Sequence, residues 1–543
     1  MPPLIESQVH TSLRAYLRQQ GDYSWHHHLT MARLVARALR LGRSALMQTS
    51  TSTPVYALSY LTPALLWQGA VVLVIPPFWQ ESWVEKVIPQ LQAALGTNRE
   101  VMVSDRVPFD FTGVLITSPQ DWLSDRLSMI TNLEANPEVN PETNFPPGIP
   151  TLIDGADDLE PWARECLTQT MLPGAWDQLI AHYPQQREII RDVKIKLTKS
   201  FFDRPLNPYG CCLLDISEQE LIHNLGSKLA DNFVDKPVDD FADNVDKLLD
   251  KPTNKSTNKF EFLASNLGQF SQQSGQQGQI LWAGVDRQQG YFTLHSTPAE
   301  VATSLSKVWQ QQPVVFMGRA MDLEVEATAY RQNVGLGGLT CLKFPPDPQT
   351  ELIQLYLPDR LPLPNTPQFQ AALEQQVMDL LTISRSDTGF IVILVEDSPL
   401  KQQMAAVMAG EFGSRVQMEV IAPNPAPILV TGWQFWRQFH HQFPPPKLLI
   451  IATLPIPSLE NPLVAGQVAY YKQQRLDWFR LYLLPTALRE LQSAIAPARR
   501  HQGVVAMLDS RVNHRSYGQQ VLAALSPFAK INYLDPRLWE LLS

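Results

Sequence analysis

The feature that most constrains this chain is a series of short, wholly apolar runs bounded by turn residues and separated by segments of helical period. Val71–Ile75, Phe390–Val395 and Leu448–Ala452 show no polar alternation. Strands of that kind must be buried on both faces, the signature of parallel sheets covered by helices. Val114–Thr117, Thr151–Ile153, Val314–Met317, Ile428–Val430 and Gly503–Leu508 read the same way. The runs fall into two groups, which predicts two α/β lobes.

Between the strands at Thr151 and Val314 the pattern changes. From about Trp162 to Gln279 the sequence reads as helical and then polar, with Asp-Lys-Pro and Asn-Lys elements followed by Ser/Gln/Gly-rich sequence. The expected layout is a first lobe over 1–161, a helical, arch-like insertion over 162–279 with a low-complexity stretch at 231–279, completion of the first lobe over 280–343, and a second lobe over 344–543. The 543 residues suffice for several cores of about 150 residues each. Charged residues are only 18% of the chain against about 25% in ordinary domains, which excludes coiled coils and long helical rods. With 44 Lys+Arg against 53 Asp+Glu, the chain as a whole does not attract a polyanion, so any nucleic-acid site must be local. The four cysteines, Cys166, Cys211, Cys212 and Cys341, fit neither a disulfide framework nor metal-binding spacing. Together with a start that lacks the pattern of a secretory signal, they lead us to expect a cytoplasmic protein with no membrane span.

The second lobe carries a specific resemblance. Ile428-Leu429-Val430-Thr431-Gly432-Trp433-Gln434-Phe435-Trp436 resembles the "ILLGTGSFWEG" segment of DinG/XPD-type superfamily 2 DNA helicases. Leu454-Pro455-Ile456-Pro457 with Asn461-Pro462-Leu463, then Leu484-Pro485-Thr486-Ala487, then Gly503-Val504-Val505 with Leu508-Asp509, Arg511 and Tyr517-Gly518 resemble three later segments of that family, in its order. In the first lobe, Tyr60–Leu65 resembles the "YLLPAL" after the Walker A loop, Leu152–Glu160 sits where the family has "IIDEAH.LED", and Pro313–Ala320 sits where it has "VILTSATL". The resemblance implies two RecA-like parallel-sheet helicase domains around a nucleotide cleft that would hold ATP and Mg²⁺, single-stranded DNA as partner, and a link to DNA repair.

The chemistry of such a motor needs a glycine-rich loop whose amides cradle phosphates and a Lys that reaches the β and γ groups. The corresponding stretch, Thr49 to Ala57, contains no glycine, and Tyr56 stands where the resemblance places the lysine. No Gly-Lys dipeptide occurs anywhere in the chain. Motif II keeps Asp154, the possible metal-side carboxylate, but Gly155 and Asp157 replace the family Glu and His. Pro497 occupies the arginine-finger position, while Arg500 matches a second arginine. Arg437 and His440 reverse the charge of the family's motif V acids, and His28 aligns with the adenine-reading Gln. The expectation is therefore a degenerate helicase fold without hydrolysis, acting as a nucleic-acid- or protein-binding scaffold; the alternative is an active ATP-dependent helicase. Thr53, Tyr56, Ala57 and Asp154 would mark the vestigial nucleotide site, with Asp154 and Arg500 as catalytic remnants. Phe435, Trp436, Arg499, Arg500 and Arg511 are the candidates for nucleic-acid contact. No cysteine lies between Thr49 and Asp154, so no iron–sulfur cluster is expected, and no metal ligand set is identified. His26-His27-His28 cannot converge on a metal from one helix, and Gly335-Leu336-Gly337-Gly338 reads as a turn.

Overall fold

The computed structural model describes residues 4–20, 25–50, 53–135, 143–230, 278–349, 351–383, 389–422 and 424–531. The low-complexity stretch, except for its last two residues, lies outside the described residues.

The chain divides into two units, one made of 1–163, 301–457 and 479–543, the other of 164–300 and 458–478. Along the sequence come β1 (Ala45–Thr49), β2 (Val71–Val74), β3 (Val101–Val103), β4 (Val114–Thr117) and β5 (Thr151–Asp154). Next are β6 (Gln169–Met171), β7 (Cys211–Leu213), β8 (Gln279–Asp286) and β9 (Tyr291–Pro298), followed by β10 (Val314–Arg319) and β11 (Thr340–Phe344). The last group is β12 (Ile353–Tyr356), β13 (Ile391–Leu394), β14 (Val416–Met418), β15 (Ile428–Thr431), β16 (Leu448–Ile451), β17 (Val504–Met507) and β18 (Phe528–Ile531).

The first unit holds two seven-stranded parallel sheets, ordered β11-β1-β10-β5-β2-β4-β3 and β14-β15-β13-β16-β17-β12-β18. These are the two RecA-like layers expected from the sequence. In the second sheet the absence of alternation has a direct cause. Val392 and Leu394 of β13 enter one core with Leu449 and Ile451 of β16, while Ile391 and Ile393 enter the opposite core with Leu448 and Ile450. In the first sheet β1 and β2, consecutive in sequence, are separated by β10 and β5. The carboxyl ends of β1, β10 and β5 therefore border a topological switch point, the place where open α/β sheets bind ligands.

The second unit corrects the expected insertion. It is not purely helical, and it does not end at residue 279. The helices Ala175–His182, Arg187–Asp203 and Ile216–Ala230 pack on one face of a four-stranded antiparallel sheet, β6-β9-β8-β7. β8 and β9 pair along their whole length, so they belong to this unit rather than to a resumed first lobe. A segment from beyond residue 344, Ser458–Trp478, joins it as well. There the Gln467 side chain donates to the Ala299 carbonyl at 2.6 Å. The polar, Gln-rich lead into β8 hid its alternation. Gly335 does sit in a turn, with φ of +65°, and a Cβ there would meet the Ala302 carbonyl oxygen at 2.1 Å.

Candidate nucleotide cleft

Asp154 ends β5 at the switch point, where a metal-side carboxylate would stand, and it is fully buried. The Tyr56 hydroxyl donates to its Oδ1, the Tyr60 hydroxyl donates to Oδ2 at 2.9 Å, and the Gly155 N–H donates to Oδ1 at 2.8 Å. Tyr56 and Tyr60, four residues apart, present their rings on one side of neighbouring helical turns and are themselves fully buried. Burial raises the Asp154 carboxyl to about 7, against the opposing pull of the two phenol hydrogen bonds, with Asp157 adding to the rise. Burial also drives the Tyr60 phenol well above its ordinary value, so it stays a donor.

Aromatic rings fill the surroundings. Trp25 lies edge-on to His28 at 5.2 Å and tilted on Tyr56 at 6.3 Å, and Tyr60 packs on Trp83 at 5.7 Å. His28, aligned with the adenine reader, is buried with Nδ1 3.1 Å from the Ser59 hydroxyl. Thr53 opens the short helix Thr53–Tyr56, and Ala57 is buried beside it. Of the four vestigial positions, Tyr56 and Asp154 are in direct contact, and Thr53 and Ala57 flank Tyr56 along the chain. Their chemistry does not fit Mg·ATP. Both Asp154 oxygens are engaged, no solvent reaches them, and the position aligned with the phosphate-binding Lys carries a phenol that donates to that same carboxylate.

Beyond β5, the acidic run reaches the second lobe. Arg437, on the helix Trp433–Phe439, pairs with Asp158 and with Glu490 Oε1 at 2.5 Å, and Arg489 lies 3.6 Å from Glu160. The charge reversal at 437 is thereby matched by acids on both lobes. These groups are partly exposed, so the R437A variant is expected to lose about 1 kcal/mol of stability, a deficit that shrinks as salt is added. Urea denaturation in a salt series checks this; a salt-independent loss would assign Arg437 a packing role instead.

The nucleic-acid candidates separate on burial. Trp436 is 1% exposed and its indole donates to the Ala494 carbonyl at 3.1 Å, which corrects its expected availability for base stacking. Arg499 is also corrected: it is 4% exposed and its guanidinium is committed to four main-chain carbonyls. Arg511 is locked in a two-pronged pair with Asp509, whose Oδ2 also accepts the Leu454 N–H. Phe435 is half-buried against Phe439, and Arg500 is exposed. The sequence reading missed Tyr60 as a site residue. Its spacing of four from Tyr56 is the signal that could have found it.

The two RecA-like sheets joined at such a cleft define a helicase-fold protein. Residues 445–528 match the helicase C-terminal domain family Helicase_C_2. The chain is 24% identical over 255 residues to the ATP-dependent DNA helicase YoaA of Escherichia coli K12, covering 44% of this chain and 39% of that relative, so less than half of the relative's length is spanned. It superimposes on Xpd4 of S. tokodaii with a TM-score of 0.55 at 12% identity, over 93% of this chain and all of the other. A solved XPD helicase gives a TM-score of 0.53 at 12% identity, covering 93% of this chain and 99% of that one. The chain thus shares the fold of solved XPD helicases and carries, over residues 445–528, a helicase C-terminal domain. Among the described residues no helix is long and apolar enough to cross a membrane.

Proposed function

We propose that this protein is a catalytically silent member of the DinG/XPD-type superfamily 2 helicase family that serves as a binding scaffold. The observation that carries the reading is the engagement of Asp154 by Tyr56 and Tyr60, at the position where hydrolysis would need an open carboxylate. Loss of the glycine loop and of the phosphate-binding Lys supports it independently. Nucleic acid is the first partner class to test, because a relative is a DNA helicase. Phe435 and Arg500 are the nucleic-acid candidates left after burial is taken into account; a protein partner and a DNA-repair setting are the other proposals. Titration of the protein with Mg·ATP in a calorimeter is expected to give no binding heat, and assays with single-stranded DNA no turnover. Micromolar binding or DNA-stimulated hydrolysis would restore the active-helicase reading. Anisotropy of labelled single-stranded DNA in a salt series then separates the partner classes, because phosphate contacts impose a negative log–log slope.

A further inference from the structure

The two helices that open the chain carry an excess of one charge. The first 43 residues hold six arginines, no lysine and only two acids, Glu6 and Asp22, and no charged residue follows until Glu81. The whole chain has 44 basic and 53 acidic side chains, so setting those six and two aside leaves 38 against 51. The helical pair is a positive island on an acidic molecule.

The fold gathers these arginines on the outer side of the pair. The helices Ile5–Gln20 and His28–Leu41 bury Val9, Leu13 and Leu17 with Met31, Val35 and Leu39, in the core that also holds Tyr56 and Tyr60. Arg40, near the end of the second helix, donates from Nε to Glu6, near the start of the first, at 2.8 Å, so the two helices run antiparallel. About 11 Å further along, two turns from that pair, stand Arg14 on one helix and Arg33 on the other. Spacings of eight from Glu6 and seven from Arg40 keep both on the flanks where the helices meet. Arg18 follows Arg14 by one turn, and Arg37 lies one turn from Arg33. The hydrogen bond from Arg40 holds the Glu6 carboxyl below its usual range, with the Arg37 charge adding to it. Arg14, Arg18, Arg33 and Arg37 are exposed, and among the described residues none of them has a carboxylate within ion-pair reach.

Like charges one turn apart cost stability, and a merely solvated helix face usually interleaves both signs. This face calls for an anionic partner. It is only two helices wide and a few turns long, so a nucleic acid lying across it would run on over the acidic remainder of the chain. Tyr16, the one tyrosine, tryptophan or phenylalanine on the two helices, is buried, which leaves no ring for bases to stack on. Arginine without lysine or acids is instead the composition of protein–protein interfaces, and each guanidinium fork matches a carboxylate. We propose that the outer face of these helices, centred on Arg14 and Arg33, docks an acidic segment of a partner protein whose carboxylates lie one helical turn apart. The face points away from the core of Tyr56 and Tyr60, and a chain that hydrolysed ATP would carry it equally, so it does not rest on the silent-enzyme reading.

The test is fluorescence anisotropy of the full chain with two labelled probes, a helical peptide bearing glutamates one turn apart and a short DNA duplex. The peptide is expected to bind at low salt and to weaken as salt is added. The double variant R14E/R33E is expected to weaken it about tenfold or more, since like charges then face each other. K86E/K199E, the same change of net charge at two exposed lysines elsewhere, is expected to leave it unchanged. The neutral variant R14Q/R33Q is expected to unfold at or above the parent's midpoint, because a like-charge contact has been removed. Absence of peptide binding at low salt overturns the proposal, as does an equal loss in K86E/K199E or a midpoint of R14Q/R33Q well below the parent's. Tighter binding of the duplex than of the peptide, lost in R14E/R33E, also overturns it and gives the face to nucleic acid. ATP turnover is read separately and bears on the silent-enzyme reading alone.

Discussion

Replacing Asp154 with alanine is expected to destabilise the protein by about 2–4 kcal/mol at pH 5, the cost of leaving two buried phenol hydroxyls without an acceptor. In a working motor the same change would abolish turnover with modest effect on the fold. Here the carboxylate is the centre of a buried network, since Tyr56, Tyr60 and the Gly155 amide all donate to it. D154N is expected to be far milder, because an amide keeps one acceptor and can donate to the other phenol. Chemical denaturation of the two variants separates the cases; equal losses would mean that side-chain volume, not hydrogen bonding, holds the cluster.

The same residue sets a pH dependence with a definite sign. Its carboxyl is raised from 3.8 to about 7 in the folded state, so between those values the folded chain binds more protons than the unfolded chain. Stability from this group is therefore present in full below about pH 4, falls as pH rises toward 7, and is flat above, with a ceiling of about 4 kcal/mol. This is opposite to a carboxylate held by a cation. D154N is expected to remove that slope while leaving the rest of the profile in place, measured by denaturation midpoints from pH 4 to 8. An unchanged slope in D154N would place the titrating group elsewhere.

What the sequence revealed, and what it hid, follows from the range over which each signal acts. β2, β4, β5, β10, β13, β15, β16 and β17 were legible because parallel strands covered on both faces are uniformly apolar over a few residues, a local pattern. β1 was not: Ala45-Leu46-Met47-Gln48-Thr49 has one β-branched residue and follows a helical segment closely. Gln48 is polar yet buried because its side chain donates to the Glu324 carbonyl and accepts from the Asp322 N–H, partners far away in sequence. The site shows the same division. That Tyr56 and Arg437 depart from the family's residues was visible along the chain. That Tyr56 donates to Asp154 and Arg437 pairs with Asp158 depends on contacts across 98 and 279 positions, which no local pattern encodes. Arg499 and Arg500 show the limit most plainly, since two adjacent arginines at a helix end have opposite fates, one buried and one exposed.

That difference makes the Arg499 variant the sharpest contrast to a surface arginine. R499A is expected to lose about 3–5 kcal/mol, since it leaves several buried carbonyls without their donor at about 1–3 kcal/mol each. Nη1 of Arg499 donates to the carbonyls of Glu351 at 3.2 Å and Pro527 at 3.1 Å, and Nη2 to those of Leu525 at 2.5 Å and Ser526 at 2.9 Å. These carbonyls belong to the segments entering β12 and β18, which pair with each other at the edge of the second sheet. One planar head thus ties together the two chain segments that lead into β12 and β18. Burial lowers its pKa to about 10, so it remains charged at neutral pH and holds the carbonyls as a cation. A lysine has three donors on one nitrogen and no fork, so R499K is expected to recover only part of the loss. Because the group is shielded from solvent, the deficit should not change with salt, in contrast to R437A. Urea denaturation in a salt series, with amide exchange read at β12 and β18, tests both points. A small, salt-sensitive loss would return Arg499 to the surface role expected from the sequence, where phosphate contacts would be open to it.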